Sequence, residues 1–315
     1  MRRVEPCQRL PEFVRGPVHL SHAASVNHDI AARSVQAYNR RMTKTLSVCA
    51  AACLATNFAI AQSTPGGQSK WEVGAFAFGV SQQAYPGSDQ QVRGAIALPF
   101  VLYRGEFLRA DQDSVGLRAF KSPQFELDFS AGASLGAKSR DLNARLGMPN
   151  LGTLVEAGPR LKWHIGAAPG GAKWRLELPL RGAFELSGGL KPRGLSFEPE
   201  LQWDRKNPDG WNTTASVGAV FGSRTLTDHF YGVAPAYATA TRPAYAARSG
   251  LIASRIGLNS WTALSRDWHV FVFGRIDSVS GAANAASPLV RQRTGTTVGM
   301  GLSWTWLRSD EPAVD

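Results

Sequence analysis

Several stretches of this chain alternate apolar with polar or small residues without a break, and that period of two constrains the fold more than any other feature. Phe125, Leu127, Phe129, Ala131, Ala133 and Leu135 interleave with Glu126, Asp128, Ser130, Gly132, Ser134 and Gly136. The same pattern sets Val155, Ala157, Pro159, Leu161, Trp163 and Ile165 against Glu156, Gly158, Arg160, Lys162 and His164. It recurs over 174–185 and 195–204, and most cleanly at Val298, Met300, Leu302, Trp304 and Trp306 against Thr297, Gly299, Gly301, Ser303 and Thr305. Successive side chains on a strand point to opposite faces, so each stretch reads as a two-faced strand. Strands of about ten residues exceed the five or six usual in soluble sheets and match a tilted crossing of a bilayer.

The spacing predicts strands at 70–81, 91–103, 106–112, 114–121, 124–136, 153–166, 173–186, 194–205, 210–222, 250–262, 268–278 and 293–306, about twelve. Ten remain possible, because the third and fourth are short and the stretch GLIASRIGLNSW alternates poorly, with Arg255 suited to neither face. Connection lengths test the count. The first, fifth, ninth and eleventh connections (82–90, 137–152, 223–249 and 279–292) are long, whereas YRGE, SPQ, KNPDG and SRD are tight. Segregation by parity is what an all-β, transmembrane, antiparallel up-and-down β-barrel does, with short periplasmic turns and long outward loops.

The nine tryptophans follow that parity. Trp163 and Trp174 flank the sixth connection, Trp203 and Trp211 the eighth, and Trp261 and Trp268 the tenth, while Trp71 opens the first strand and Trp304 and Trp306 close the last. All are expected at one rim, because indole is large and apolar yet carries an N–H that seeks a partner at the hydrocarbon–water boundary.

Cysteine and charge bear on export. Cys7, Cys49 and Cys53 all lie early in the 315-residue chain. Over 42–61, Lys44 precedes the apolar run LSVCAAACLATNFAIA, and Ala59-Ile60-Ala61 supplies small residues before Gln62, the pattern of a signal peptide. Residues 1–41 read as a non-structural upstream extension, 62–69 as a short periplasmic segment, 70–306 as the barrel and 307–315 as a polar tail. An Arg-rich transit peptide, a lipoprotein cysteine and a twin-arginine signal at Arg40-Arg41 fit less well. The remainder carries 27 basic and 21 acidic residues and no cysteine, so its stability must come from a large core, a closed sheet or a membrane.

Two sets of charges are candidate functional groups. Lys138, Arg140, Arg145, Lys191, Arg193, Arg224, Arg242, Arg248, Arg291 and Arg293 fall in the long connections against few acids such as Asp89, Asp141 and Asp228, and would face anionic lipopolysaccharide. Glu126, Asp128, Arg160, Lys162, Arg175, Glu177, Arg181, Glu185, Glu198 and Glu200 fall on the lumen face, where they either line a wet passage or pair and plug it.

Signals for catalysis are thin. Gly132 to Gly136 match G-x-S-x-G but lie inside an alternating strand with no helix following. After residue 61 only His164, His229 and His269 are present, too few and too separated for a metal site or a triad. Asp228-His229 would need a loop kink to cooperate, since neighbours on a strand diverge. No catalytic, cofactor-binding or metal-binding residue is assigned, and no cofactor or nucleic-acid motif is read.

Tyr85-Pro86-Gly87-Ser88, Phe230-Tyr231-Gly232-Val233, Ser287-Pro288-Leu289-Val290 and the ending GLSWTW, in this order over about 70–306, resemble the MipA/OmpV family of outer-membrane proteins. The resemblance implies a non-enzymatic barrel in the outer membrane of a Gram-negative bacterium. Its named member, an MltA-interacting protein, joins a lytic transglycosylase to a peptidoglycan synthase, and other members are linked to adhesion or to drug and stress response. A scaffold for peptidoglycan-remodelling enzymes is therefore the leading expectation. A small-solute channel, or an adhesin or lipopolysaccharide-contacting protein, stands beside it. The tail LRSDEPAVD departs from the family, whose barrels end on the aromatic residue.

Overall fold

The computed structural model describes residues 69–311 except 105–107, 111–114, 118–119, 188 and 208–209, and gives only backbone over 104–121. The expected signal peptide and upstream extension lie outside the described residues. The strands are β1 (Trp71–Gln83), β2 (Gln91–Arg104), β3 (Leu108–Ala110), β4 (Val115–Leu117), β5 (Phe120–Lys121), β6 (Phe125–Ser134), β7 (Leu154–Ala168), β8 (Ala172–Glu185), β9 (Lys191–Phe197), β10 (Glu200–Arg205), β11 (Asn212–Gly222), β12 (Gly250–Ala263), β13 (Trp268–Ser278) and β14 (Thr294–Arg308). One helix of eight residues, α1 (Arg224–Tyr231), sits in the longest loop. No helix among the described residues is long and apolar enough to cross a membrane.

All fourteen strands belong to one sheet whose order runs β4-β3-β2-β1-β14-β13-β12-β11-β10-β8-β7-β6-β5. The pairing of β1 with β14, Ala77 opposite Leu302, joins the two ends of the sequence. The two ends of the sheet are β4 and β5, and Leu117 and Phe120 are three residues apart, at most about 11 Å of chain, so the sheet's edges meet and the cylinder closes. Segments β9 and β10 both pair with β8 and β11, and act as one pass interrupted at Glu198-Pro199. Proline has no N–H for the ladder, which explains the break. Segments β4 and β5 likewise divide one predicted pass.

The packing is inverted relative to a soluble protein. Val101, Phe129, Ile165, Leu180, Leu195, Val217, Ile256, Leu258, Ile276, Val298 and Met300 are exposed, while Asp128, Lys162, Glu177, Arg181, Gln202, Asp277 and Thr297 are buried. An apolar belt of this extent would drive association in water, and it is stable against acyl chains. Strands of 13 to 15 residues, such as β1 and β7, measure about 45 Å along the chain and cross about 30 Å of hydrocarbon when tilted near 45°.

Two expectations change here. Eight tryptophans lie on outward-facing or rim positions, but Trp261 is 7% exposed and packs inside against Phe78 and Phe271. Arg255 faces the lumen. The β11–β12 register shifts at Val220/Phe221, opposite Ala253 and Leu251, so Ile252 is an extra residue and both Ile252 and Ala253 are buried. A bulge reverses the parity of everything beyond it. That reversal is why GLIASRIGLNSW alternates poorly and why Arg255, Gly257, Asn259 and Trp261 share the inner face.

Candidate functional site

The lumen has two chemically distinct walls. Midway along β1, β2 and β14 and over the first half of β13 it is apolar: Phe78 stacks on Phe271 and Phe273 with ring centroids 5.8 and 5.9 Å apart. Those two rings lie across Gly301 and Gly299, their partners on β14, and Phe100 lies across Gly74 in the same way. A Cβ on any of these glycines would enter the ring beside it, so each Gly–Phe pair is a fitted joint.

The opposite wall is an ion-pair network. Arg160 grips Asp128 with two hydrogen bonds of 3.0 and 2.6 Å and donates to Glu177 at 3.1 Å. Lys162 lies 2.9 Å from Asp128 and 3.6 Å from Glu126. Arg175 bridges Glu177 and Asp204 at 3.1 and 3.3 Å and donates to Gln202. Arg181 donates to Ser130 and reaches Glu198, which also receives Arg255, and Arg255 and Arg275 share Asp277 at 2.7 and 3.0 Å. Charges placed in an interior are tolerated when each finds an opposite partner and further hydrogen bonds.

Nine of the ten predicted lumen residues thus take part in or border this network. Glu185 is buried at the far end of β8, paired with Arg193 instead. Arg255, Arg275, Asp277 and Asp204 were missed. Their only signal was strand parity, obscured at Arg255 by the bulge and on β13 by Phe271 and Phe273 sharing the inner face.

The long loops close the outer end. Tyr85 donates from its phenol to the Leu289 carbonyl at 2.8 Å, Tyr231 to the Pro86 carbonyl at 3.0 Å, and Ser287 to the Tyr231 carbonyl at 2.8 Å. Gly87, at φ +91°, turns its carbonyl to accept from the Arg291 and Gln292 amides, a conformation glycine adopts without strain. Tyr85, Leu226, Tyr231, Val233 and Leu289 are each at most 3% exposed, and with Leu142, Leu151 and Val279 they form a hydrophobic core above the barrel. The three loop motifs named from sequence, separated by more than fifty residues each, meet in this lid. Beneath it lies a cavity of about 350 Å³, roofed by Tyr85, Pro86, Leu226 and Phe230 and floored by both walls.

Loop cations divide into two groups. Arg145 is buried, donating to the Phe230 carbonyl at 3.1 Å and the Pro149 carbonyl at 3.4 Å, its guanidinium 5.9 Å from the Tyr85 ring centre. Burial lowers its pKa. Arg242 is clamped on the carbonyls of Tyr237, Ala144 and Leu146. Lys191 and Arg193 belong to β9, not to a loop. Lys138, Arg140, Arg224, Arg248, Arg291 and Arg293 stay exposed.

The remaining sequence candidates scatter. Gly132 and Ser134 lie in the β6–β7 ladder, with Ser134 opposite Leu154. In α1, Asp228 Oδ1 accepts the Ala247 amide at 3.4 Å, while His229 tilts against Phe230 with its Nε2 unpartnered and burial lowers its pKa to about 4. His164 and His269 sit near the opposite end, on β7 and β13. Among the described residues no group of three or more His, Cys, Asp or Glu is placed to hold a metal ion.

Comparison with known proteins settles the family. The sequence profile of "MltA-interacting protein MipA" matches residues 73–306, from β1 to the end of the barrel. The chain belongs to the MipA family. It is accordingly an outer-membrane β-barrel, with its lid outward and its short turns in the periplasm. No curated protein matches it. Among solved structures it is similar to the NanC porin (9% identity, TM-score 0.32, covering 75% of this chain and 99% of that one). It is also similar to the outer membrane protease OmpT of Escherichia coli (9%, 0.29, 78% and 99%) and to the outer membrane phospholipase A of Escherichia coli (9%, 0.29, 73% and 92%). At such scores these likenesses carry no argument about this MipA-family chain, whose assignment rests on the profile and the inverted barrel.

Proposed function

We propose that this MipA-family barrel is a non-enzymatic scaffold that presents its periplasmic face to peptidoglycan-remodelling enzymes, a lytic transglycosylase and a peptidoglycan synthase. The observation that carries the reading is the lid. The family's loop motifs are spent on sealing the outer mouth with buried tyrosines and backbone hydrogen bonds, which favours a binding platform over a conduit or a hydrolase. The paired lumen charges favour the same reading, because they neutralise one another along their wall. The family's name, MltA-interacting protein, supports the choice of partner.

Crosslinking in intact envelopes, followed by identification of captured proteins, tests the proposal: cell-wall enzymes are expected, and their consistent absence defeats it. In planar bilayers the purified barrel is expected to stay silent, and steady single-channel steps would move the assignment to a solute channel. The reading includes export through a signal peptide at 42–61, so the processed chain is expected to begin at Gln62.

A second reading, contact with lipopolysaccharide phosphates, is favoured by the cations left exposed on the lid, Arg140, Arg224, Arg248 and Arg291 among them. Charge reversal there is expected to reduce co-purified lipopolysaccharide, and unchanged retention removes this reading.

A further inference from the structure

The periplasmic rim is charged on one side. Lys173 opens β8, Arg205 ends β10, Lys206 follows it and Arg266 sits in the turn between β12 and β13; all four are exposed, and none makes an ion pair among the described residues. Their three turns are joined. Trp203 donates from its indole N–H to the Pro169 carbonyl at 3.2 Å, binding the β7–β8 turn to β10, and Thr262 donates to the Gly210 carbonyl at 3.1 Å, binding the next turn to β12. Lys173 stands opposite Asp204, one residue from Arg205. Farther round the ring the balance changes: Asp267 is taken by Arg308, and the tail brings Asp310 and Glu311, the latter paired with Lys70.

The height of these cations identifies what they meet. Arg205 is two residues from Trp203 and shares its outward face, Arg266 is two residues from Trp268, and Lys173, which alternates with Trp174, shares the lumen face with Arg175. At about 3.3 Å per residue each lies within about 7 Å of the indole girdle. The headgroup layer adds about 5–8 Å beyond the hydrocarbon on each side, so Arg205 and Arg266 sit inside that layer and Lys206, one residue farther, stands at its outer edge, closer to lipid than to a protein partner or the cell wall. Guanidinium and ammonium groups at that depth bind phosphate diesters through charge-assisted hydrogen bonds. We propose that Arg205, Lys206 and Arg266 form a docking surface for anionic phospholipid headgroups of the periplasmic leaflet, holding lipid on one sector of the barrel. The proposal is independent of which enzymes the barrel meets.

The test uses the full barrel reconstituted in vesicles of phosphatidylcholine and phosphatidylglycerol, extracted gently, with retained lipid counted by native mass spectrometry. The wild type is expected to keep phosphatidylglycerol over phosphatidylcholine. The Arg205→Gln/Lys206→Gln/Arg266→Gln variant is expected to lose that preference, by about fivefold for each effective contact removed. Neutralisation on the lid, at Arg140, Arg224, Arg248 and Arg291, is expected to leave it intact. If the triple rim variant does not fold, the single Arg205→Gln and Arg266→Gln variants carry the test. Equal preference in wild type and rim variants, no preference in the wild type, or displacement of the lipid by millimolar inorganic phosphate overturns the proposal. So does a rim variant that loses only binding to isolated cell-wall sacculi.

Discussion

The phenol oxygen of Tyr231 lies 3.0 Å from the carbonyl oxygen of Pro86, across 145 residues of sequence, and this one bond ties the longest loop to the first. Tyr231 is 1% exposed, and burial raises its pKa well above the ordinary phenol value. Removing the hydroxyl leaves the Pro86 carbonyl without that donor, a loss of about 1–3 kcal/mol concentrated in the lid. Tyr231→Phe is therefore expected to speed amide hydrogen exchange over 84–90 and 284–290 while exchange in the strands is unchanged. Equal protection of the loops in variant and wild type would refute the role given to Tyr231.

Acid should loosen the same lid. His229 is held neutral by burial, with its pKa lowered to about 4 against an unfolded value near 6.5. A depressed pKa contributes stability that is present above pH ~6.5 and is lost as pH falls toward ~4, because the open state then binds the extra proton. Proteolytic protection of α1 is expected to decline over that window, and His229→Gln is expected to flatten the decline. A variant with the wild-type pH profile would show that another group titrates.

Asp128 is the most exacting member of the lumen network, since its buried carboxylate serves both Arg160 and Lys162. Asp128→Ala removes the buried anion that Arg160 and Lys162 share, leaving them only Glu177 and Glu126, at a cost of up to about 3–5 kcal/mol. The expected outcome is a marked drop in the temperature at which the folded band on unheated gels converts to the unfolded one. Leu127→Ala, on the lipid face of the same strand, is expected to shift it far less. Similar shifts for the two would contradict the assignment of faces.

Gly301 makes room for the Phe271 ring, which in turn stacks on Phe78. Gly301→Ala is expected to destabilise the barrel by about 1–3 kcal/mol, the usual cost of overpacking. Combining it with Phe271→Leu should recover part of the loss, because the ring is the obstacle. Additive losses in the double variant would dismiss the fitted joint.

The tail beyond Trp306 extends the barrel's seam. Strand β14 continues to Arg308, the Ser309 amide donates to the Trp71 carbonyl, and Lys70 pairs with Glu311 through backbone and side chain. An exposed ion pair contributes little to stability, because water screens it. Truncation after Arg308 is expected to preserve the folded band, and its disappearance would mean that the tail is needed for assembly.

How far the sequence alone reached can be followed residue by residue. The alternation from Phe125 to Ser134 fixed which face of β6 is oily, and the ladder to β7 pairs Asp128 with Arg160 as that alternation requires. Connection lengths assigned the two ends, and tryptophan placement marked the membrane boundary except at Trp261. These features are local: a strand's period and a turn's length are written in neighbouring residues. The inner placement of Arg255 was not, because one bulged residue at Ile252 reverses the face of everything after it, and a bulge is decided by what the partner strand presents. The lid was even less accessible. Tyr85, Tyr231 and Leu289 lie in segments with no period at all, so nothing in their spacing says that they meet. Sequence by itself determined that the chain closes into an oily-sided barrel; only the tertiary structure decided that its long loops pack into a lid at the outer mouth, since that depends on contacts between loops which the strands bring together from opposite ends of the chain.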